Sequence, residues 1–174
     1  AFPLTSIKIL NEEGEECGPE KVGELFSTSP YLFNGYWNRP EETEEALQSG
    51  WLTVGDLAKK DKDGYLYIVD RKKDMVISGG VNIYPREIEE VMFGHPNIND
   101  VAIVGVADEK WGESLKAFIV TKDKKSLKPE DLEKFCKGKI SNIKIPKIIS
   151  LIDSIPRNAN GKVLKTELRK KTDG

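Results

Sequence analysis

The chain has 174 residues and a formal net charge of −2, with 38% hydrophobic and 32% charged residues. This composition is typical of a globular protein, and the length allows one large core or two small ones. No apolar run approaches the length of a membrane span, and no basic leader precedes an apolar stretch at the N-terminus. We therefore expect neither a transmembrane segment nor a secretory signal.

The charge is unevenly distributed along the chain. Residues 1–70 contain 6 Lys and Arg against 14 Asp and Glu, a net charge of −8, whereas residues 71–174 contain 21 against 15, a net charge of +6. The change falls at Asp70-Arg71, which makes that junction the predicted domain boundary. The basic second part could attract the phosphates of a nucleotide, a cofactor or a nucleic acid, or it could be a lysine-rich solvated surface.

Cysteine and histidine are scarce. Cys17 and Cys136 are far apart and belong to no CxxC or His/Cys cluster, which is typical of reduced thiols in a cytoplasmic protein. His95 is the only histidine. We therefore expect a cytoplasmic protein with no metal site of its own, and a Ser-His-Asp triad is disfavoured.

Residues 1–70 are predicted to form short strands with one small helix. Pro40 is well placed to begin a short acidic helix, and the turn at residues 61–64 predicts a hairpin. These features predict a β-barrel-like subdomain that ends near Asp70. The predicted strands cover residues 7–10, 22–26, 51–52 and 65–69.

Residues 71–174 are predicted to mix strands and helices. Pro85 and Pro129 each suit the first position of a helix, and residues 165–171 predict a short polar helix. The predicted fold class is therefore α+β: a β-barrel-like subdomain, then a small α+β domain with a short, mostly antiparallel sheet and about three helices. The predicted strands of this second part cover residues 75–77, 101–106, 117–120 and 147–152.

Four polar segments are candidates for chemistry, and each also has an ordinary structural explanation. Asp56 could accept hydrogen bonds from two ribose hydroxyls, or it could satisfy a local turn. The charged segment at residues 70–74 could be a solvated linker. Gly79-Gly80 could admit a ligand close to the backbone or form a tight turn. Lys162, after a polar loop, could reach an active site or be one surface lysine among many.

The order and spacing of these segments resemble the adenylate-forming enzymes. The resemblance covers nearly the whole chain, and the segment around Gly79-Gly80 is most similar to fatty-acyl or related CoA ligases. The matching segments are Gly35-Tyr36-Trp37-Asn38-Arg39-Pro40, Thr53-Val54-Gly55-Asp56-Leu57, Asp63-Gly64-Tyr65-Leu66-Tyr67-Ile68-Val69-Asp70-Arg71-Lys72-Lys73-Asp74, Ser78-Gly79-Gly80-Val81-Asn82-Ile83-Tyr84-Pro85-Arg86, Trp111-Gly112-Glu113 and Pro156-Arg157-Asn158-Ala159-Asn160-Gly161-Lys162.

Members of that family join a carboxylate to AMP at the expense of ATP, release pyrophosphate, and pass the acyl group to a thiol, usually that of CoA. The resemblance implies that Asp56 binds the ribose hydroxyls of the adenylate and that Arg71 contacts the same ribose. It places Lys73 at the hinge about which the small domain rotates. It implies that Lys162 contacts carboxylate and phosphate oxygens during adenylation, and that the Gly79-Gly80 loop then replaces it and lines the pantetheine tunnel.

The family's phosphate-binding loop and most of its carboxylate pocket would lie upstream of every segment found here. The resemblance therefore predicts a fragment in which residues 1–70 end the large domain and residues 71–174 form the mobile C-terminal lid domain. Such a fragment is expected not to adenylate by itself. ATP, AMP, CoA and a small-molecule carboxylate, most consistent with a fatty acid, are the implied ligands, and the groups that bind Mg²⁺ with ATP are expected outside this chain.

Other functions stay open at this point. The chain could belong to an adenylation domain that loads a carrier protein, or it could be a non-catalytic binding module that retains the lid fold. Nucleic-acid binding is disfavoured, because Phe118 and Phe135 lie in apolar patterns typical of a core and are not interleaved with exposed lysines. Basic residues of the second part could meet the phosphates of CoA, with Trp111 and Lys116 as candidates that the sequence does not rank.

Overall fold

The computed structural model describes residues 3–122 and 127–171, and the chain divides into two compact units between Lys73 and Asp74. The division falls three residues after the predicted boundary. The reason is that strand β6 (Leu66–Arg71) continues through Arg71 and a short 3-10 turn, Lys72–Asp74, follows it.

The first unit is an antiparallel sheet with one helix. The sheet has the order β3-β4-β2-β5-β6, with β1 paired to β2. Ile9, Phe26, Leu57 and Ala58 form its buried core. The described strands make an open sheet whose edge strands β3 and β6 do not pair with each other, so the β-barrel-like prediction is right about the strands but no closed barrel forms. The elements are β1 (Ser6–Leu10), β2 (Gly23–Thr28), α1 (Pro40–Ala46), β3 (Leu47–Gln48), β4 (Trp51–Leu52), β5 (Asp56–Lys60) and β6.

The second unit combines a five-stranded sheet with three helices among its described residues, as the α+β prediction required. Its sheet has the order β11-β10-β7-β8, with β9 paired to β10, and every pairing is antiparallel except β10 with β11. The short strand β8 was not predicted. The elements are β7 (Val76–Ser78), β8 (Val81–Ile83), α2 (Pro85–Phe93), β9 (Ile98–Asp108), β10 (Gly112–Thr121), α3 (Pro129–Cys136), β11 (Ile148–Leu151) and α4 (Lys165–Lys170).

The side chains of β9 alternate between two cores. Val101 and Ile103 belong to the core that α2 and α3 cover. Ala102 and Val104 belong to the core that contains Leu168 of α4. Because both of its faces are covered, β9 is apolar at consecutive positions, and the pair β9–β10 lies at the centre of the unit. Both strands extend beyond the predicted apolar segments, because their more polar ends continue the backbone ladder to the intervening turn.

Glu89 of α2 joins three elements of the second unit. Its Oε1 accepts a hydrogen bond from the backbone N–H of Ile103 in β9 at 2.8 Å, and Lys165 Nζ, at the start of α4, lies 2.8 Å from the same atom. Both charged side chains are largely buried, at 12% exposure for Lys165 and 16% for Glu89. This paired arrangement fixes the start of α4 relative to the sheet, because separating the pair would leave a buried charge uncompensated.

His95 is a buried residue just after α2. Its Nδ1 accepts a hydrogen bond from the backbone N–H of Asn97 at 3.1 Å, and its ring lies edge-on to Phe135 with the ring centroids 4.8 Å apart. Burial lowers the pKa of His95 below its ordinary value of 6.5. The fold therefore favours the neutral imidazole.

We expect the wild-type protein to lose stability relative to His95→Gln as the pH falls below about 6.5. The folded pKa lies below the unfolded one, so the unfolded chain takes up the proton first. The free energy of unfolding then decreases with falling pH until the folded pKa is passed. Urea unfolding of both proteins at about pH 7.5 and about pH 5.5 measures the difference. An equal pH dependence in the two proteins would show that burial does not shift this histidine.

Candidate active site

Asp56 and Arg71 lie opposite each other in the β5–β6 hairpin. They are register partners, and Arg71 Nε lies 2.7 Å from Asp56 Oδ1. Arg71 Nη1 also donates a hydrogen bond to the carbonyl of Val54 at 3.1 Å, and the backbone N–H of Lys72 donates to the carbonyl of Gly55 at 2.8 Å. The structure thus brings together the two residues that the resemblance assigns to the ribose, and these contacts hold the carboxylate at the start of β5.

Glu24 of β2 supports the same segment and was not indicated by the sequence. The hydroxyl of Thr53 donates to Glu24 Oε1 at 2.6 Å, and Lys72 Nζ lies 2.7 Å from Glu24 Oε2. This role of Glu24 could not be predicted from the sequence, because its two partners lie 29 and 48 residues away along the chain. Lys73, in the following 3-10 turn, borders with Arg71 a cavity of about 310 Å³.

Gly79 and Gly80 form the two-residue turn of the β7–β8 hairpin. Their φ angles are +57° and +78°, and a turn with positive φ at both central positions matches the twist of the flanking strands. The sequence predicted that these glycines connect a strand to a helix. In the structure a further strand, Val81–Ile83, pairs antiparallel with β7 before α2 begins. The backbone N–H of Gly79 donates to the carbonyl of Trp111 at 2.9 Å, which joins this turn to the β9–β10 turn.

A cavity of about 440 Å³ in the second unit lies beside the glycine turn, and Ser78, Trp111, Ile143 and Lys147 are among its lining residues. The indole of Trp111 is 48% exposed, and Lys110 Nζ lies 4.8 Å from the centroid of its ring. An exposed aromatic face with lysines nearby suits a ligand that combines a flat ring with negative charge.

The side chain of Asp108 fixes the turn that carries Trp111. Asp108 Oδ1 accepts hydrogen bonds from the backbone N–H groups of Lys110 and Trp111, both at 2.9 Å. The bond from Trp111, followed by that from Lys110, lowers the pKa of Asp108 below its usual value. The carboxylate therefore remains charged and holds the backbone of the turn.

Lys162 ends a tight loop that Asn158 organises. Asn158 Oδ1 accepts hydrogen bonds from the backbone N–H groups of Asn160 at 3.0 Å and Lys162 at 2.9 Å, and the N–H of Asn158 donates to the carbonyl of Lys162 at 2.9 Å. The Lys162 side chain is exposed, and in residues 3–122 and 127–171 its ammonium group has no hydrogen-bond or ion-pair partner. Asn158 could have indicated this turn from the sequence, since Asn side chains accept hydrogen bonds from backbone groups a few residues further along the chain.

The lysine loop and the glycine turn are attached to opposite ends of β9. Arg157, in the lysine loop, contacts Asp100 near the start of that strand, whereas the glycine turn contacts the β9–β10 turn that follows Asp108. Eight residues of extended strand separate the two points, roughly 26 Å. The second unit thus carries two separate candidate elements for chemistry.

Neither a metal cluster nor a membrane-spanning helix is found in the part of the chain that the structure describes. No group of three or more His, Cys, Asp and Glu side chains there could hold a metal ion. No helix of those residues has the length and apolar character needed to cross a bilayer.

Comparison with known proteins identifies the fold as that of the C-terminal region of adenylate-forming enzymes. Residues 87–162 match the family of the AMP-binding enzyme C-terminal domain. The chain belongs to the adenylate-forming, or AMP-binding, superfamily.

Particular relatives are similar over almost the entire chain. A long-chain-fatty-acid–CoA ligase of Escherichia coli O157:H7 is 42% identical over 99% of this chain and 30% of its own length. A feruloyl-CoA synthase of Amycolatopsis sp is 40% identical over 97% of this chain and 34% of its own. The structure of o-succinylbenzoate CoA synthetase (MenE) from Bacillus subtilis in complex with the acyl-adenylate intermediate OSB-AMP is 37% identical with a TM-score of 0.89, over 96% of this chain and 34% of its own. The chain therefore spans about a third of the length of the relatives it matches.

Substituting the two glycines of the turn tests its packing against Trp111. A Cβ at Gly79 would lie 2.8 Å from Trp111 Cε3, whereas a Cβ at Gly80 would meet no heavy atom within 4 Å. Positive φ makes alanine cost roughly 1–2 kcal/mol at either position. We expect Gly79→Ala, in addition, to displace the indole and shift its fluorescence, while Gly80→Ala leaves the emission unchanged.

The measurement uses a background in which Trp37 and Trp51 are replaced by Phe, so that Trp111 is the only emitting indole. An unchanged emission spectrum in Gly79→Ala would contradict the close approach of turn and ring.

Proposed function

We propose that this chain is the C-terminal part of an ATP-dependent acyl-CoA synthetase, which activates a carboxylic acid as an acyl-adenylate and transfers the acyl group to CoA. The first unit is the end of the large domain, and the second unit is the mobile lid domain that rotates about Lys73. The observation that supports this proposal most is the presentation of Lys162, with its backbone held by Asn158 and its exposed ammonium group available to a ligand.

In the adenylation step, a carboxylate oxygen attacks the α-phosphorus of ATP, and the bond from phosphorus to the pyrophosphate oxygen breaks. Two negatively charged groups must approach each other, so a compact positive charge placed between them stabilises the transition state. Lys162 supplies that charge. Asp56 accepts hydrogen bonds from the ribose hydroxyls, and Arg71, 2.7 Å away, holds that carboxylate and contacts the same ribose. Mg²⁺ bound with ATP offsets further phosphate charge, and its ligands lie outside this chain.

In the second step, the thiol gives its proton to water, its sulfur attacks the acyl carbonyl carbon, and the bond from that carbon to the phosphate oxygen breaks as AMP leaves. The lid domain rotates so that the Gly79-Gly80 turn replaces Lys162 beside the adenylate. A turn without side chains leaves room for the narrow pantetheine arm. The neighbouring cavity receives the adenine of CoA against Trp111, with Lys147 near its phosphates. Lys116, the other candidate from the sequence, is not among the residues that line this cavity.

The acid is proposed to be a fatty acid. Similarity to a long-chain-fatty-acid–CoA ligase supports this choice, whereas the comparable similarity to a feruloyl-CoA synthase makes an aromatic acid the alternative to test. The unpaired thiols Cys17 and Cys136 support a cytoplasmic location.

Replacing Lys162 should separate the two half-reactions. In the complete enzyme we expect Lys162→Ala to lower the rate of ATP–pyrophosphate exchange by about 10²–10³-fold, because one preorganised electrostatic contact to the transition state is lost. Thioester formation from pre-made acyl-adenylate and CoA should survive, because the glycine turn serves that step. The control is Lys170→Ala, an exposed lysine that pairs with Glu167 on the same helix.

Each outcome of this experiment decides one point. No exchange by the wild-type enzyme with any fatty or aromatic acid would favour a non-catalytic binding module. Normal exchange by Lys162→Ala would contradict the role of this lysine. Exchange by residues 1–174 alone would contradict the proposal that the chain needs the rest of the large domain.

Removing the indole of Trp111 should weaken the binding of CoA without changing the adenylation step. We expect Trp111→Ala to raise the KM for CoA by about 5- to 100-fold, because stacking on an aromatic side chain contributes roughly 1–3 kcal/mol per base. ATP–pyrophosphate exchange should be unchanged. The control is Phe93→Ala, an aromatic residue of similar exposure that does not line the cavity. A KM for CoA that stays at the wild-type value would exclude this cavity as the nucleotide site.

A further inference from the structure

Arg157 joins the Lys162 loop to the central strand of the second unit. Its Nη1 donates a hydrogen bond to the carbonyl of Gly161 at 2.9 Å, and its Nη2 donates to Asp100 Oδ2 at 2.7 Å. Asp100 Oδ1 in turn accepts a hydrogen bond from the backbone N–H of Val101 at 3.0 Å. One guanidinium therefore connects the residue before Lys162 with strand β9.

The contacts of this loop fix the direction in which the Lys162 side chain leaves it. Arg157 holds the carbonyl of Gly161, and Asn158 Oδ1 holds the N–H of Lys162, so the peptide group between the two residues is held on both sides. Asn158 also holds the carbonyl of Lys162 through its own N–H. The loop is closed by pairing of Arg157 with Val163. The Lys162 side chain itself is exposed.

The geometry requires an arginine at position 157. The planar guanidinium has donors that point in different directions, and here two of them reach acceptors on separate elements. The single ammonium group of a lysine could neutralise Asp100, but it would not span both acceptors with the same fixed geometry.

The Arg157–Asp100 ion pair is expected to affect the reaction rate more than the stability of the fold. Arg157 is 40% exposed and Asp100 19% exposed, and ion pairs near the surface contribute little to stability. In contrast, displacing a reacting group by about 1 Å can lower a rate about 100-fold. The same contact is therefore minor for folding and large for the placement of an ammonium group at a transition state.

We propose that Arg157, itself held by Asp100, is a positioning residue for Lys162 in the adenylation half-reaction. This inference rests on the proposed function of Lys162. Arg157 acts through the loop and does not touch the substrate. It has no role in thioester formation, because the Gly79-Gly80 turn is attached at the other end of β9.

The test measures both half-reactions in the complete enzyme. We expect Arg157→Gln to lower ATP–pyrophosphate exchange by about 10–100-fold, and Arg157→Lys to lower it almost as far. Thioester formation from pre-made acyl-adenylate should stay within about two-fold of wild type. The control is Lys170→Gln, an exposed basic residue that pairs with Glu167 on α4 and should alter neither rate.

Two further measurements separate positioning from a general structural role. In the Lys162→Ala background, Arg157→Gln should not lower the rate of ATP–pyrophosphate exchange any further, because Arg157 acts through Lys162. A further loss as large as the one that Arg157→Gln causes in the wild-type enzyme would overturn the proposal. Hydrogen exchange of the peptide covering residues 156–164 should be faster in Arg157→Gln, while β10 stays protected. Equal protection of the loop in both proteins would overturn it as well.

These outcomes are distinguishable from a failure of the proposed function. Normal pyrophosphate exchange by Lys162→Ala alone would show that the lysine has no such role, and the positioning proposal would fall with it. Faster hydrogen exchange of the loop in Arg157→Gln with an unchanged pyrophosphate exchange rate would overturn the positioning role alone.

Discussion

The antiparallel pairing of β9 with β10 determines where the candidate chemistry of the second unit lies. The two strands pair from Ile98 with Thr121 to Asp108 with Gly112, and their side chains fill the two cores of the unit. One end of this ribbon holds the glycine turn through the carbonyl of Trp111, and the other end holds the lysine loop through a carboxylate of β9. Because a buried ribbon does not bend freely, the two elements stay roughly 26 Å apart along it. Under the proposed function, the two elements would therefore serve one active site in turn, through rotation of the second unit.

Much of the fold was predictable because its signals are local. Prolines begin α1, α2 and α3 as predicted, since a proline lacks the N–H that a first helical position does not use. The register that joins Asp56 to Arg71 was not predictable. Counting back from the hairpin turn, regular pairing would place Asp70 opposite Asp56, and the two carboxylates would repel each other. A register shift between Leu57 and Ala58 places Arg71 there, and no residue type in the hairpin signals it.

The contacts that hold the lysine loop could not be predicted from the sequence, for a different reason. Arg157 and Asp100 are 57 residues apart, so no local pattern relates them, and each is an ordinary charged residue in the sequence. Asn158 could have been singled out as a turn-forming residue. The roles of Lys162 and of the glycine turn came from the family resemblance alone. The structure adds two observations that support them: the backbone around Lys162 is held on three sides, and a Cβ at Gly79 would lie only 2.8 Å from the indole of Trp111.

Spin labels on the two units test directly whether the two elements alternate at one active site. In the complete enzyme, with Cys17→Ser and Cys136→Ala, labels at Lys62→Cys and Glu109→Cys occupy exposed positions on the first and second units. Double electron–electron resonance measures the label-to-label distance, first with a non-hydrolysable ATP analogue and then with a stable acyl-adenylate analogue and CoA. We expect two distinct distance distributions, one for each ligand state. A single distribution that is the same in both states would contradict this expectation.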